Sequence, residues 1–323
     1  MMIRAHAPHQ RGAALLLAMI VLTLVSTVAA GMVWQQSRAI QIEAAERARA
    51  QAGWMLNSGI DFAREVVRRF GAADPSQDQP WDSELAETRL SALLAADRDN
   101  SADASLEAFI SGGIKDAQSR YNLRNLVDSD SKTEAKELKT LVRLCDLIHL
   151  NGTAELLAAG LKQALAAGGN DLNARAPLAP GRVDQLRWLG IDAATLDQLS
   201  IYVTLLPEPT PINLNTARAE TIYAVIDGLD PATATRLVRQ RNNRFKDLEQ
   251  VKAMLNDEQK MQIDGQRVAV KSSYFEVTAT VRYEDRALSD LALLQRGGGS
   301  SAEVTVLRRE RRPLALGGPG GGT

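Results

Sequence analysis

The sequence predicts an α+β fold in which a long N-terminal helix and a small antiparallel sheet are separated in the chain by a large helical insertion. Three observations predict it. An uncharged run from Ala13 to Trp34 passes without a proline into an amphipathic stretch that ends near Phe70. The middle of the chain is patterned in short helical periods broken by Asn, Gly and Pro, and after about residue 271 the apolar period becomes two. With 323 residues and 45% hydrophobic content the chain can bury a sizeable core and form about two domains. Lys and Arg number 38 against 39 Asp and Glu, a net charge of -1, so no chain-wide field favours nucleic acid or an acidic surface.

Compartment is set by the first segment. The 22 residues from Ala13 to Trp34 carry no charge, and at the helical rise they reach about 33 Å, enough to cross the hydrocarbon core. Arg4 and Arg11 precede them, which predicts a cytoplasmic N-terminus and a translocated remainder, periplasmic in a bacterium. "TVAAGMVW" from Thr27 has the small residues of a signal-peptidase site. The residues after Trp34 speak against such a cut, because Ile42, Ala45, Ala52, Met55, Leu56, Ile60, Ala63, Val67 and Phe70 recur on one helical side. No proline lies between Pro8 and Pro75, so one helix of about 85 Å is allowed from Ala13 to Phe70.

Catalytic chemistry has few residues to use. His6 and His9 belong to the basic leader, leaving His149 and the single Cys145, which excludes an internal disulfide, a two-His site or a Cys/His zinc cage. Both lie in "LKTLVRLCDLIHL", Leu138 to Leu150, whose apolar spacing makes Cys145 a small core residue and His149 the edge of a helix. The chain is read as a non-enzyme.

The segment Arg11-Gly12-Ala13 followed by "ALLLAMIVLTLV" resembles the N-terminal region of type IV pilins and of the pseudopilins of type II secretion. The resemblance implies a leader ending at Gly12, cleavage there by a prepilin peptidase and methylation of the new N-terminus, Ala13. Most pilins carry Glu at the fifth mature position, where its charge needs a partner amine. Here that position is Leu17. A neutral fifth residue with a large soluble region is similar to type II secretion system protein K, the large minor pseudopilin. That family implies a pilin-like domain, no cofactor other than calcium, a place at the tip of the pseudopilus, and partners among the other minor pseudopilins, the I and J types.

The middle of the chain fits this resemblance. "PINLNTARAETIYAVIDGLDPATATRLVRQRNNRFKDLEQVKAM", Pro211 to Met254, resembles a helix-hairpin-helix module of the SAM-like type. Asn215 or Thr216 is expected to cap its first helix, and Pro231 to open its second. "DAQSRYNLRNLVDSD", Asp116 to Asp130, repeats the opening, with Tyr121-Asn122-Leu123 beside Ile212-Asn213-Leu214. The rival reading is a membrane-anchored competence-type DNA receptor, since such modules bind phosphate through a Gly-x-Gly hairpin. This hairpin is Gly228-Leu229-Asp230, so Asp230, with Asp227 close by, puts carboxylate where phosphate would dock. Arg236, Arg239, Arg241, Arg244 and Lys246 form the only stripe in its favour, and such a run is ordinarily a solvated helix face. A minor pilin of a related type IV pilus is the other alternative.

"SYFEVTATVRY" from Ser273, "RALSDLALLQR" from Arg286 and "SAEVTVLRRER" from Ser301 read as an antiparallel meander. The expected divisions are 1–12 leader, 13–34 transmembrane segment, 35–72 amphipathic continuation, 73–110 connection, 111–270 insertion with SAM-like units at about 116–200 and 211–265, 271–312 strands, and 313–323 a Gly-rich disordered tail. For calcium the candidates are Asp128, Asp130 and Glu134, but the run lacks the Gly and the final Glu of a complete loop. The acidic segment that family members place after the first unit retains only Asp171.

Overall fold

The structure, a computed structural model, describes residues 11–71, 84–89, 108–127, 131–167, 177–241, 244–283, 286–297 and 303–314. It divides into two compact units, Met1–Met55 and Leu56–Thr323. One helix of 61 residues, α1 (Arg11–Gly71), supplies the described part of the first unit and opens the second. Polar side chains in its apolar stretch turn back on the helix: Thr23 Oγ1 donates to Ile20 O and Thr27 Oγ1 to Leu24 O, each at 2.9 Å. These two hydroxyls therefore need nothing from lipid. Further on, Arg47 and Glu43 pair across one turn at 2.6 Å.

In the second unit α1 is followed by β1 (Glu84–Arg89) and β2 (Ala108–Asp116). The chain then leaves for a helical body: β3 (Tyr121–Asn122), α2 (Ser131–Leu147), α3 (Thr153–Ala167), α4 (Ala193–Ser200), β4 (Val203–Thr204), β5 (Ile212–Asn213), α5 (Ala219–Val225), α6 (Pro231–Gln240), α7 (Leu248–Lys252), α8 (Asp257–Lys260) and β6 (Val268–Ala269). It returns as β7 (Tyr274–Tyr283), β8 (Arg286–Arg296) and β9 (Val304–Leu314). The sheet is antiparallel in the order β1-β2-β7-β8-β9. The sequence pattern predicts strands only from residue 271 onward, so β1 and β2 enlarge the sheet. They escape a period-two reading because "ELAETR" is polar and "AFISGGIKD" carries two glycines. Gly112 is required there, since a Cβ would stand 2.3 Å from Thr278 O on the neighbouring strand.

The end of α1 lies on this sheet through Leu56, Ile60, Ala63 and Val67, all 5% exposed or less. Their spacing is one helix face. Gly59 brings the helix close to the strands, where a Cβ would meet Ala279 Cβ at 3.4 Å and Ile110 Cδ1 at 3.6 Å. Arg64 adds a polar tie, donating from Nε and Nη2 to Val304 O at 3.2 and 3.0 Å. Of the amphipathic side read from sequence, Ile42 is exposed. The side chain of Phe70 lies outside the described residues.

The helical body has its own apolar core, running from Leu141, Leu144, Leu157 and Leu161 through Leu186 and Leu199 to Ile222, Leu237 and Val251. It contains a structural repeat at the positions where the sequence repeats. Tyr121-Asn122 pairs in parallel with Val203-Thr204, and Ile212-Asn213 with Val268-Ala269. After each bridge the Asn side chain accepts from the backbone N–H two residues on, Arg124 at 3.1 Å and Asn215 at 3.0 Å, which turns the chain into the next helical segment.

Candidate assembly site

Two features could carry an association function, the apolar run of α1 and the head that succeeds it in the chain. In the first, Leu15, Leu16, Leu17, Met19, Ile20, Val21, Leu22, Leu24, Val25, Val28, Met32, Val33 and Trp34 are each at least half exposed. Such a continuous apolar surface on one helix is an interaction surface for lipid or for other helices. By length and composition this helix can cross a membrane. Gly12 and Ala13 sit within its first turn, and Leu17 is 65% exposed.

The head is built around polar groups the sequence reading left unassigned. Asp116 ends β2 and is buried. Its Oδ2 accepts from Asn213 Nδ2 (2.8 Å), Thr216 Oγ1 (2.6 Å) and Ser272 Oγ (2.6 Å), and its Oδ1 from Gln118 N (2.8 Å). Burial pushes this carboxyl above its ordinary range, with the Ser272, Thr216 and Asn213 donors pulling the other way. Gln118 completes the junction, donating to Pro211 O at 2.9 Å and accepting from Ser273 N at 2.6 Å. Asn122 and Asn125 hold the proline-rich connection: Asn122 Nδ2 donates to Glu208 O (2.7 Å), and Asn125 exchanges bonds with Thr210 N and O (3.0 Å each). The "DAQSRYNLRN" string is thus a set of ties between sheet and helical body.

A second network joins the two repeats. Buried Glu137 on α2 pairs with Arg267 Nε at 2.8 Å and accepts from Tyr121 Oη at 3.0 Å, while Arg267 also donates to Thr140 Oγ1. Arg143 meets Asp227 at 2.6 Å and lies over the Tyr223 ring. The sequence signal for these is weak, because single charged residues in helical patterns read as solvated.

The positions singled out from sequence have these places in the fold. Neither Asn215 nor Thr216 caps α5. Arg218 occupies the cap position without a side-chain bond, because Asn215 Oδ1 already accepts from Phe245 N at 2.8 Å, its Nδ2 donates to Phe245 O and Val270 O, and Thr216 Oγ1 donates to Asp116. Pro231 does open α6, and Asp230 caps it through Thr233 N at 2.9 Å, which holds its carboxyl below the usual range. The hairpin's acids are therefore occupied within the fold. Two of the stripe's arginines brace loops: Arg236 donates to Met254 O, and Arg241 to Leu214 O and Ala217 O. Cys145 is buried and its thiol is pushed up to about 12 by burial and the nearby Asp146, so it is inert. His149 lies beyond the end of α2 with φ 62°, where Leu150 N donates to Cys145 O and His149 N to Asp146 O, the hydrogen-bond pattern of a Schellman cap.

Calcium finds no ready ligand set among the described residues. No group of three or more His, Cys, Asp or Glu there is placed to hold a metal, and Glu134 stands 2.8 Å from Lys162 Nζ. Asp128, Asp130 and Asp171 lie outside the described residues, as does the expected tail 313–323 except Pro313 and Leu314, which end β9.

Comparison with known proteins separates a pseudopilin from other anchored helical heads. The family model for type II secretion system (T2SS), protein K matches residues 212–271, the second repeat. Type II secretion system protein K of Pseudomonas aeruginosa (strain PAO1) is 27% identical and covers 93% of this chain and 92% of its own length. The chain is similar to type II secretion system protein K along nearly its whole length. The protein K fold is shared too: the crystal structure of the GspK-GspI-GspJ complex from enterotoxigenic Escherichia coli superposes with a TM-score of 0.60 at 20% identity, covering 83% of this chain and 98% of that one. A protein K is a component of a secretion apparatus, and the apolar α1 fits a membrane-anchored pseudopilin.

Proposed function

We propose that this chain is the minor pseudopilin at the tip of a type II secretion pseudopilus, priming filament assembly and supporting protein export across the outer membrane. One observation carries the reading: an uncharged, exposed helical run from Ala13 to Trp34 leads into a large head. Prepilin peptidase cuts after Gly12 on the cytoplasmic face and Ala13 is methylated, which leaves the apolar run in place as an inner-membrane anchor with the head in the periplasm. On extraction from the bilayer the same run packs against the helices of other minor pseudopilins, those of the I and J types. A complex of that composition is known for the similar Escherichia coli protein. Leu17 supports the terminal position, since a subunit with no neighbour beyond it has no amine to neutralise. Neither calcium nor another cofactor is needed for association.

The intact mass and N-terminal residue of the membrane-extracted protein, made with and without a prepilin peptidase, test this. Cleavage and methylation at Ala13 only when the peptidase is present is the expected result, and Gly12→Ala is expected to stay uncut yet inserted. Normal maturation of Gly12→Ala, or an uncut native chain, would overturn the pseudopilin reading and move DNA binding by residues 211–254 to the front.

A further inference from the structure

The helical body and the sheet keep separate interiors. Only a small cluster of Ala117, Leu206, Tyr274 and Leu293 is shared at their junction among the described residues. Two backbone crossings join them, 116–120 and 270–274. Both leave from neighbouring strands, β2 and β7, whose ends are paired at Asp116 and Phe275. Two adjacent crossings pinned by one buried carboxylate form a hinge.

The two sides of this hinge differ. Toward β9, the body touches the sheet through a closed ring of charges: Arg182 with Asp184 (2.9 Å) and with Glu310, and Arg312 with Glu310 (3.0 Å) and Asp184 (3.6 Å). Arg308 adds a bond to Gly181 O. These side chains are 22 to 49% exposed, so salt screens them. Toward β1, on the other side of the hinge in the strand order, body and sheet stand apart around a cleft of about 470 Å³. Its walls are Glu84, Lys115 and Glu276 from the sheet and Ser200, Ile201 and Arg218 from the body, and at its hinge end Arg120 of the first crossing pairs with Glu276 at 2.6 Å. Glu84 reaches only Lys115, at 3.1 Å, and Arg218 only the Tyr202 ring, at 6.0 Å, among the described residues.

We propose that the helical body rocks on the Asp116 hinge between the position seen here, with the ionic ring closed and the cleft open, and a second in which the ring is parted and the cleft is shut. In the second position Arg218 moves toward Glu84, so each position has its own charge pairing. A two-position head gives a secretion component a way to change shape without unfolding either core.

Spin-label distances on the full chain in detergent micelles test this. One label pair, Gln163→Cys with Thr305→Cys, spans the ring; the other, Ala86→Cys with Asp197→Cys, spans the cleft. Native Cys145 is buried with its thiol pushed up to about 12, and it takes no label. In Glu310→Gln with Asp184→Asn the first distance is expected to lengthen and the second to shorten, each by several ångström. Swapping the charges, Arg182→Glu with Glu310→Arg, is expected to restore both. Molar salt on the unaltered ring should act as the neutralising variant does, which keeps the test independent of that variant's folding. Unchanged distances in salt and variant, or a ring distance that grows while the cleft distance does not shrink, would overturn the proposal.

Discussion

The two ends of α1 are one helix with opposite fates. Between Ala13 and Trp34 its large apolar side chains are half exposed or more, whereas Leu56, Ile60 and Val67 are 2% exposed or less. The difference is not in hydrophobicity but in what stands opposite. Leu56 to Val67 lie on a sheet made by the same chain, and the N-terminal run has no such cover among the described residues of its own unit. An apolar surface left open along a whole membrane-length helix suits lipid or other helices, while most large apolar side chains of the head are buried within it. If that contrast is real, substitutions in the head should cost stability and substitutions in the run should cost association.

The largest effect belongs to the buried ion pair of the head. Arg267→Met leaves Glu137 buried with the Tyr121 hydroxyl as its side-chain partner among the described residues, and removing one partner of such a pair costs about 3–5 kcal/mol. Urea unfolding followed by far-UV circular dichroism should show that loss; a change under about 1 kcal/mol would mean that the two repeats are held by their apolar core alone. Leu56→Ala comes next, at about 2–5 kcal/mol for a fully buried leucine. The matched change Leu22→Ala, on the exposed half, should leave the same transition unmoved, and an equal cost at both positions would erase the distinction between the halves.

Acid should act through Asp290, a buried residue of β8 facing Arg309 and Arg311 of β9. Burial alone would raise its carboxyl, but hydrogen bonds from Arg311 and Arg309 hold it below the ordinary range. A depressed folded value means that its contribution is complete above the ordinary carboxylate range and is lost as pH falls through the folded value. Asp116 is shifted the opposite way, so its ionised form carries a cost at neutral pH that eases as pH falls through its raised value. Asp290→Asn should therefore lower stability at pH 7 and flatten its decline below about pH 4. An unchanged acid limb in this variant would assign the decline to other carboxylates.

How much of this is legible in the sequence depends on whether a residue's role is local. The uninterrupted helix, Pro231 at the start of α6 and the alternation in β7 are written in short-range spacing, and they can be read. So can the repeat of Tyr121-Asn122 by Ile212-Asn213, because an Asn that turns the chain acts on the residue two positions ahead. Asn215 and Thr216 look like helix caps by the same local rule, yet partners far off in the chain, Val270 and Asp116, take their side chains. Asp116, Glu137 and the Arg182 ring are silent for that reason: the partners that tie them across the fold, Asn213, Arg267 and Glu310, are 97, 130 and 128 positions away, and no local pattern marks a charge whose partner comes from another element. The family pattern at Gly12, Ala13 and Leu17 is legible only by resemblance, since an apolar run on its own says membrane and not filament.

The smallest expected effect is at Leu17, and it separates folding from assembly. Its side chain is exposed and lies in the first compact unit, so Leu17→Glu should change the head's unfolding by no more than about 0.5 kcal/mol. Lipid and filament are a different matter, because a carboxylate in an apolar setting is costly unless a cation meets it. If this subunit is terminal, no neighbouring amine meets the introduced carboxylate, and capture of the other minor pseudopilins should weaken while the head stays folded. If capture is unaffected or improved, an amine is within reach of position 17, and the subunit then has a neighbour on that side and is internal to the filament.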